Sequence, residues 1–163
     1  MNAKTFCLQG LLGRLLLTMA VGSLALPAMA AGTIVMAEKF ENGLPGGNQC
    51  SVPVPAVGSG VTSIKLGSTS CKNDQVRYFR FVDVPSPTMV VFANDGECGG
   101  GSWRLGVRAY KHPTTSEWKT LQEIRDTEMN KPVAVGIEKV DDNGKTDQIP
   151  GKLSCMEIYP PSP

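Results

Sequence analysis

Val76-Arg77-Tyr78-Phe79-Arg80-Phe81-Val82-Asp83-Val84 is the stretch on which the fold turns. Its β-branched and aromatic residues suit a pleated, half-buried surface. Pro85-Ser86-Pro87 stops it, and Thr88-Met89-Val90-Val91-Phe92-Ala93 begins a second run of the same kind. Two such runs on either side of a proline turn predict a strand, Val76–Val84, and a returning strand, Thr88–Ala93, paired as a hairpin.

The neighbouring segments carry the same signal. Thr33-Ile34-Val35-Met36 is short and apolar, and Gly43 to Asn48 has the composition of a turn. Val61 to Leu66 alternates, with Thr62, Ile64 and Leu66 on one face. Trp103 to Tyr110 alternates too: Leu105, Val107 and Ala109 point one way, Arg104, Arg108 and Tyr110 the other. Val133 to Val140 is a further strand, Asp141-Asp142-Asn143-Gly144 a turn, and Leu153 to Tyr159 the last strand before an extended Pro160-Pro161-Ser162-Pro163 tail. Thr114 to Met129 is ambiguous. Thr114 with Glu117 has the spacing of a capping box, and Trp118, Leu121 and Ile124 recur every third residue, yet every other element is a strand. A strand is expected there also. Seven or eight short strands with Gly/Pro turns predict an all-β sandwich, in one domain over residues 31–159.

The first thirty residues have the form of a cleaved export signal. Lys4 and Arg14 precede an apolar run from Leu15 to Leu26, Pro27 breaks it, and Ala28-Met29-Ala30 is a small-x-small cleavage pattern. The run is shorter than the roughly 20 residues of a membrane span. No cysteine follows it to take a lipid, and Cys7 leaves with the leader. Residues 160–163 are expected to be a disordered tail. Two of 16 basic residues and none of 15 acidic ones are lost, so the mature chain carries 14 against 15, a net charge of −1. That balance argues against nucleic acid as a partner. No second long apolar run is present, and the expected location is periplasmic or secreted.

Four cysteines remain: Cys50, Cys71, Cys98 and Cys155. An even number in an exported chain predicts disulfides, with three connectivities open. The favoured pairs are Cys50–Cys71, which is local and would staple the Pro/Gly/Ser-rich loop, and Cys98–Cys155, which would tie the last strand to a glycine-rich turn. No C-x-x-C pair suggests a metal.

Val61-Thr62-Ser63-Ile64-Lys65-Leu66 and Val76-Arg77-Tyr78-Phe79-Arg80-Phe81 share one pattern: Val, two variable residues, apolar, base, apolar. Both resemble the closing strand of a βγ-crystallin motif. The stretch from Cys71-Lys72-Asn73-Asp74 to Val84-Pro85, Ser102-Trp103 and Gly151-Lys152-Leu153-Ser154 are also similar to small secreted bacterial β-proteins of that type. The resemblance covers about half of the mature chain. It implies a crystallin-like Greek-key fold and, since some microbial members inhibit proteases and others are toxins, a macromolecular partner. The family's calcium site implies candidates at Asn73, Asp74, Thr62 and Ser63. Both copies of the motif are broken here: one keeps the hydroxyls without the acids, and the other puts Arg77 at a ligand position. Calcium is therefore expected to bind weakly if at all, and no other cofactor is implied.

Chemistry is sparse. The single histidine, His112, lies in the turn Lys111-His112-Pro113, and paired cysteines leave no thiol for a Cys-His mechanism. The remaining enzymatic route is a carboxylate pair, Asp95 with Glu97 or Asp141 with Asp142, as a cell-envelope hydrolase would need. Both pairs sit among Asn and Gly in turns, where solvated acids are the ordinary reading. A calcium-stabilised structural module is a further alternative. The leading expectation is a non-enzymatic binding protein, an inhibitor or toxin-like protein acting on a protein or cell-envelope macromolecule. Its candidate binding loop is Asp95, Gly96, Glu97, Gly99, Gly100, Gly101 and Ser102, pre-organised at Cys98. Arg104, Arg108 and Tyr110 form a candidate binding face. Trp103, Trp118, Tyr78 and Tyr110 are the aromatic candidates for stacking on a sugar or anchoring a protein.

Overall fold

A computed structural model describes residues 32–99 and 101–163. The expected leader, Cys7 and Gly100 lie outside the described residues. The described residues are all-β apart from one short α-helix and a 3-10 turn at Leu66–Ser68, with their strands in two antiparallel sheets.

Strands β1 (Thr33–Glu41) and β2 (Leu44–Pro53) form the first hairpin. Their turn is Asn42-Gly43, with φ of 53° and 78°. Positive φ at both central residues is the type I′ geometry that matches strand twist. The Gly43–Asn48 stretch, expected as a turn, is therefore mostly strand. Its glycines serve a bulge instead: the register steps from Ala37↔Gln49 to Lys39↔Gly46, so β2 carries one extra residue. Gly47, at φ 67°, lies so close to Glu38 that a Cβ there would fall 2.6 Å from Oε2 of that carboxylate.

Strand β3 (Thr62–Lys65) is followed by β4 (Tyr78–Val82) and β5 (Met89–Ala93). The expected β4–β5 hairpin does not form. β4 pairs with β1, whereas β5 belongs to the other sheet. The reason is burial: Phe79 and Phe81 of β4 and Val90 and Phe92 of β5 are all fully buried, and the Phe79 and Phe92 rings meet at 5.1 Å. The two strands thus face each other across the core, and the proline-rich connection crosses from sheet to sheet.

The remaining elements are β6 (Arg104–Ala109), β7 (Lys119–Thr120), α1 (Leu121–Asp126), β8 (Pro132–Ala134), β9 (Ile137–Asp142) and β10 (Cys155–Tyr159). The sheet orders are β2-β1-β4-β7 and β3-β10-β5-β6-β9-β8. α1 corrects the expectation of a strand over Thr114–Met129. A complete capping box starts it, formed by Thr120 and Glu123 rather than Thr114 and Glu117, and it buries Leu121 and Ile124. The single strand expected over Val133–Val140 is split by a turn at Val135-Gly136 into β8 and β9. Asp141 and Asp142, expected in a turn, end β9. In the tail, Pro161 is buried and its carbonyl accepts from Gly58 N–H at 2.9 Å. No helix among the described residues is long and apolar enough to cross a membrane.

Both disulfides join the expected pairs, Cys50–Cys71 and Cys98–Cys155. The first fastens β2 to the loop ahead of β4; the second fastens the loop after β5 to β10. Their sequence separations are 21 and 57 residues. Loop-closure entropy then predicts contributions of roughly 3 and 4 kcal/mol. Urea unfolding of the Cys50→Ser/Cys71→Ser and Cys98→Ser/Cys155→Ser double variants should show losses in that order of size. Wild-type midpoints for both variants would contradict it.

Candidate functional site

The Asp95–Ser102 loop is wrapped about one carboxylate. Asp95 accepts from the backbone N–H groups of Glu97, Gly99 and Gly101 at 2.9, 3.0 and 2.7 Å. Glu97 pairs with Lys65, and the Ser102 hydroxyl donates to Asp147. As a catalytic pair, Asp95 and Glu97 are poorly placed. One holds the loop together, and the other projects with its side chain 81% exposed.

The outer face of β6 is similarly matched. Arg104 donates from Nε to Asp141 at 2.7 Å and lies 3.5 Å from Glu157. The Asp141 hydrogen bond, working against burial, holds the Arg104 guanidinium above its ordinary value. Arg108 donates to Glu138 through Nε and Nη2 at 3.0 and 2.7 Å. Tyr110 is exposed beside them. Gly106 makes the ladder possible, since a Cβ there would stand 2.5 Å from the Asp141 Cβ. These charges form cross-strand pairs.

The calcium candidates fall at two places. Asn73 Nδ2 and Ser154 Oγ donate to Asp74, each at 3.2 Å. Thr62 and Ser63 lie on β3 opposite Ile158 and Glu157. Ser154 and Ile158 are four residues apart, about 13 Å along a strand. One cation with ligands near ~2.4 Å cannot span that. Among the described residues no three His, Cys, Asp or Glu side chains converge as for a metal. His112 is exposed, its Nδ1 accepting from Ser86 N–H at 3.3 Å.

The groups left open lie elsewhere, around the start of β4. Trp103 is fully buried and donates from Nε1 to the Gln148 carbonyl at 2.9 Å, so it is a core residue. Tyr78 and Trp118, by contrast, share the outer side of the four-stranded sheet with Phe40. Phe40 lies 6.0 Å from Tyr78 and 5.8 Å from Trp118, and the Arg80 guanidinium sits 5.3 Å over the Trp118 ring. Two depressions meet at Arg77 and Tyr78. One, of about 150 Å³, is walled by Thr120, Leu121 and Gln122 on one side and Ile149 and Pro150 on the other. The second, of about 190 Å³, is bounded by Glu38, Lys39, Phe40 and Glu41. Among the described residues the side chains of Arg77 and Lys39 make no ion pair. A third depression, of about 350 Å³, opens between the edge strands β2 and β3 and is lined by Val52, Val54, Pro55 and Ile64. It offers no charged or amide side chain.

The walls of the first depression are held from behind. Lys139, 4% exposed, donates from Nζ to the carbonyls of Arg125 and Thr127 at 2.9 and 2.8 Å and pairs with Asp142 at 2.7 Å. Its ammonium thereby satisfies the C-terminal carbonyls of α1. Arg125 Nη1 donates to the Asp147 carbonyl at 2.9 Å and, with Trp103, ties down the loop carrying Ile149 and Pro150.

No family model matches the chain, and neither a curated protein nor a solved structure matches it.

Acid should loosen this support. Burial pushes the Asp142 carboxyl up, but Lys139, the Gly144 N–H and Arg125 outweigh it and hold its pKa below the ordinary value. At Glu123 burial again pushes the carboxyl up, and the Thr120 hydrogen bonds and Lys119 outweigh it, so its pKa too lies below the ordinary value. A depressed folded pKa adds stability above the unfolded value of roughly 4 and loses it as pH falls through the folded one. Melting midpoints should therefore drop below about pH 4. Asp142→Asn should flatten that drop. It should also cost roughly 3 kcal/mol at pH 7 by leaving Lys139 buried without its partner. An Asp142→Asn variant with an unchanged acid profile would refute this assignment.

Proposed function

We propose that this protein is a non-enzymatic binding protein of an oxidising, extracytoplasmic compartment, periplasmic or secreted. Its contact with a macromolecular partner runs through the surface around Arg77 and Tyr78. The observation that carries this reading is the pair of depressions sharing those two residues. Most charges on the other candidate surfaces are spent on internal pairs, whereas this surface keeps an unpaired guanidinium and a half-exposed aromatic ring. The two disulfides support the compartment.

Two features favour binding over hydrolysis. A carboxylate general acid needs a raised pKa, whereas Asp142 of one candidate pair is held below its ordinary value, and Asp95 of the other is taken up by three backbone N–H groups. Kinship with the crystallin-like Greek-key proteins stays part of the proposal. It rests on the two echoed segments, which form β3 in one sheet and β4 in the other. Inhibition of a macromolecule or a toxin-like action would both use such a surface.

Immobilised, oxidised mature protein should retain a component of the cell envelope or culture fluid. Tyr78→Ala should release it, and Arg108→Ala, on the opposite sheet, should not. Equal retention by Tyr78→Ala and wild type would remove this surface from consideration.

A further inference from the structure

Resting on that reading, we infer that the surface around Arg77 and Tyr78 is a carbohydrate site for a neutral oligosaccharide chain, one sugar ring seated on each side of Tyr78. The size of the depressions is the first reason. At about 150 and 190 Å³ each is smaller than the ~300 Å³ of a pocket for a compact drug-sized ligand. Two small seats on either side of a shared ring suit a ligand built of small repeated units.

The lining chemistry is the second. Charge across the second depression is balanced, with Arg77 and Lys39 set against Glu38 and Glu41. A phosphate or sulfate would meet two carboxylates, and a cation would meet two bases. A polyol uses both kinds of group at no net charge. The Arg77 fork donates to adjacent hydroxyls; Glu38 accepts from them beside its bond from Asn48 N–H, and the Gln122 amide, one hydrogen of which goes to Asp126, keeps an acceptor oxygen and a second donor. In the first depression Leu121 and Ile149 are buried and form the floor, while Pro150 and Tyr78 stand at the surface. Those two rings offer the apolar contact that the C–H face of a sugar requires.

The topology is the third. A peptide that binds by strand addition needs a free sheet edge. At Tyr78 both edges of β4 are occupied, by Ala37 of β1 and Thr120 of β7. Strand addition is thereby closed at β4, and recognition through side chains, the mode a glycan uses, is left open.

The test is an array of immobilised glycans, neutral and anionic, probed with oxidised mature protein, followed by titration calorimetry with the hexasaccharide of the best neutral hit. Binding to neutral glycans is expected, with a tenfold or greater loss of affinity in Tyr78→Ala. Arg77→Met should lose affinity to a similar degree, because it keeps the stem and removes the donors. Tyr78→Leu controls for folding: it keeps apolar bulk, should melt near wild type, and should still lose the glycan. Binding confined to anionic glycans, no binding at all, or binding untouched by Tyr78→Ala and Tyr78→Leu overturns the inference. If the glycans fail while Tyr78→Ala still releases an envelope protein in the retention experiment, the binding surface stands and only its ligand class falls. If both experiments are indifferent to Tyr78, both readings fall together.

Discussion

The two-residue period of β4 ties the core of this protein to its surface. Phe79 and Phe81 point inward, and the Phe79 ring meets Phe92 of the opposite sheet at 5.1 Å. Filling the gap between two sheets with rings is what makes a sandwich of them. Each fully buried ring stabilises by roughly 2–3 kcal/mol. The same alternation obliges Tyr78 and Arg80 to face out. A slip of one residue would bury Tyr78 and Arg80 and expose both phenylalanines. The core contact therefore sets the position of the outward-facing aromatic with little freedom.

A small sandwich must also control its connections, and here three devices divide that task. Cys50–Cys71 fastens the first hairpin to the approach of β4, and Cys98–Cys155 closes the loop beyond β5 onto β10. Lys139 does for α1 what neither bridge reaches: it enters the core edge as a charge and meets two carbonyls and a carboxylate. Burying an ammonium is tolerable only when its donors are spent this way. The stiffness so obtained is delivered to the walls of one depression, since α1 and the Asp147–Pro150 segment both depend on groups packed around Arg125, Lys139 and Trp103.

Local patterning made much of this legible in advance. The alternation of Trp103–Tyr110, the disulfide pairing and the all-β class followed from short-range composition. Failures came where two local readings were equally good or where the decisive contact was distant. Asn42-Gly43 is a strong hairpin signal, but it overlaps Gly43–Asn48, whose glycines and proline have turn composition as well. Thr114/Glu117 and Thr120/Glu123 have the same spacing, and only burial of Leu121 and Ile124 selects the second. Pro85-Ser86-Pro87 looks the same whether the chain returns in one sheet or crosses to another. Sequence alternation set Arg104, Arg108 and Tyr110 on a common face correctly. It carried no information about Asp141, Glu138 and Glu157, which arrive from strands distant in sequence and neutralise the two arginines.

That last contrast bears on where function should be sought in so balanced a chain. Exposure alone marks nothing, because Glu97 and Arg108 are well exposed and paired. The informative residue is one that the fold places firmly and then leaves unspent. Tyr78 and Arg77 meet that description: their backbone is gripped on both sides, with Arg77 N–H on the Ala37 carbonyl at 3.1 Å and its own carbonyl accepting from Leu121 at 3.0 Å. A backbone held between two occupied neighbours needs no further ordering when a ligand arrives, so the remaining entropic cost is that of the side-chain rotamers, small for the Tyr78 ring and larger for the Arg77 stem. Rigid placement combined with unsatisfied hydrogen-bonding capacity is what distinguishes this surface from the internally paired ones.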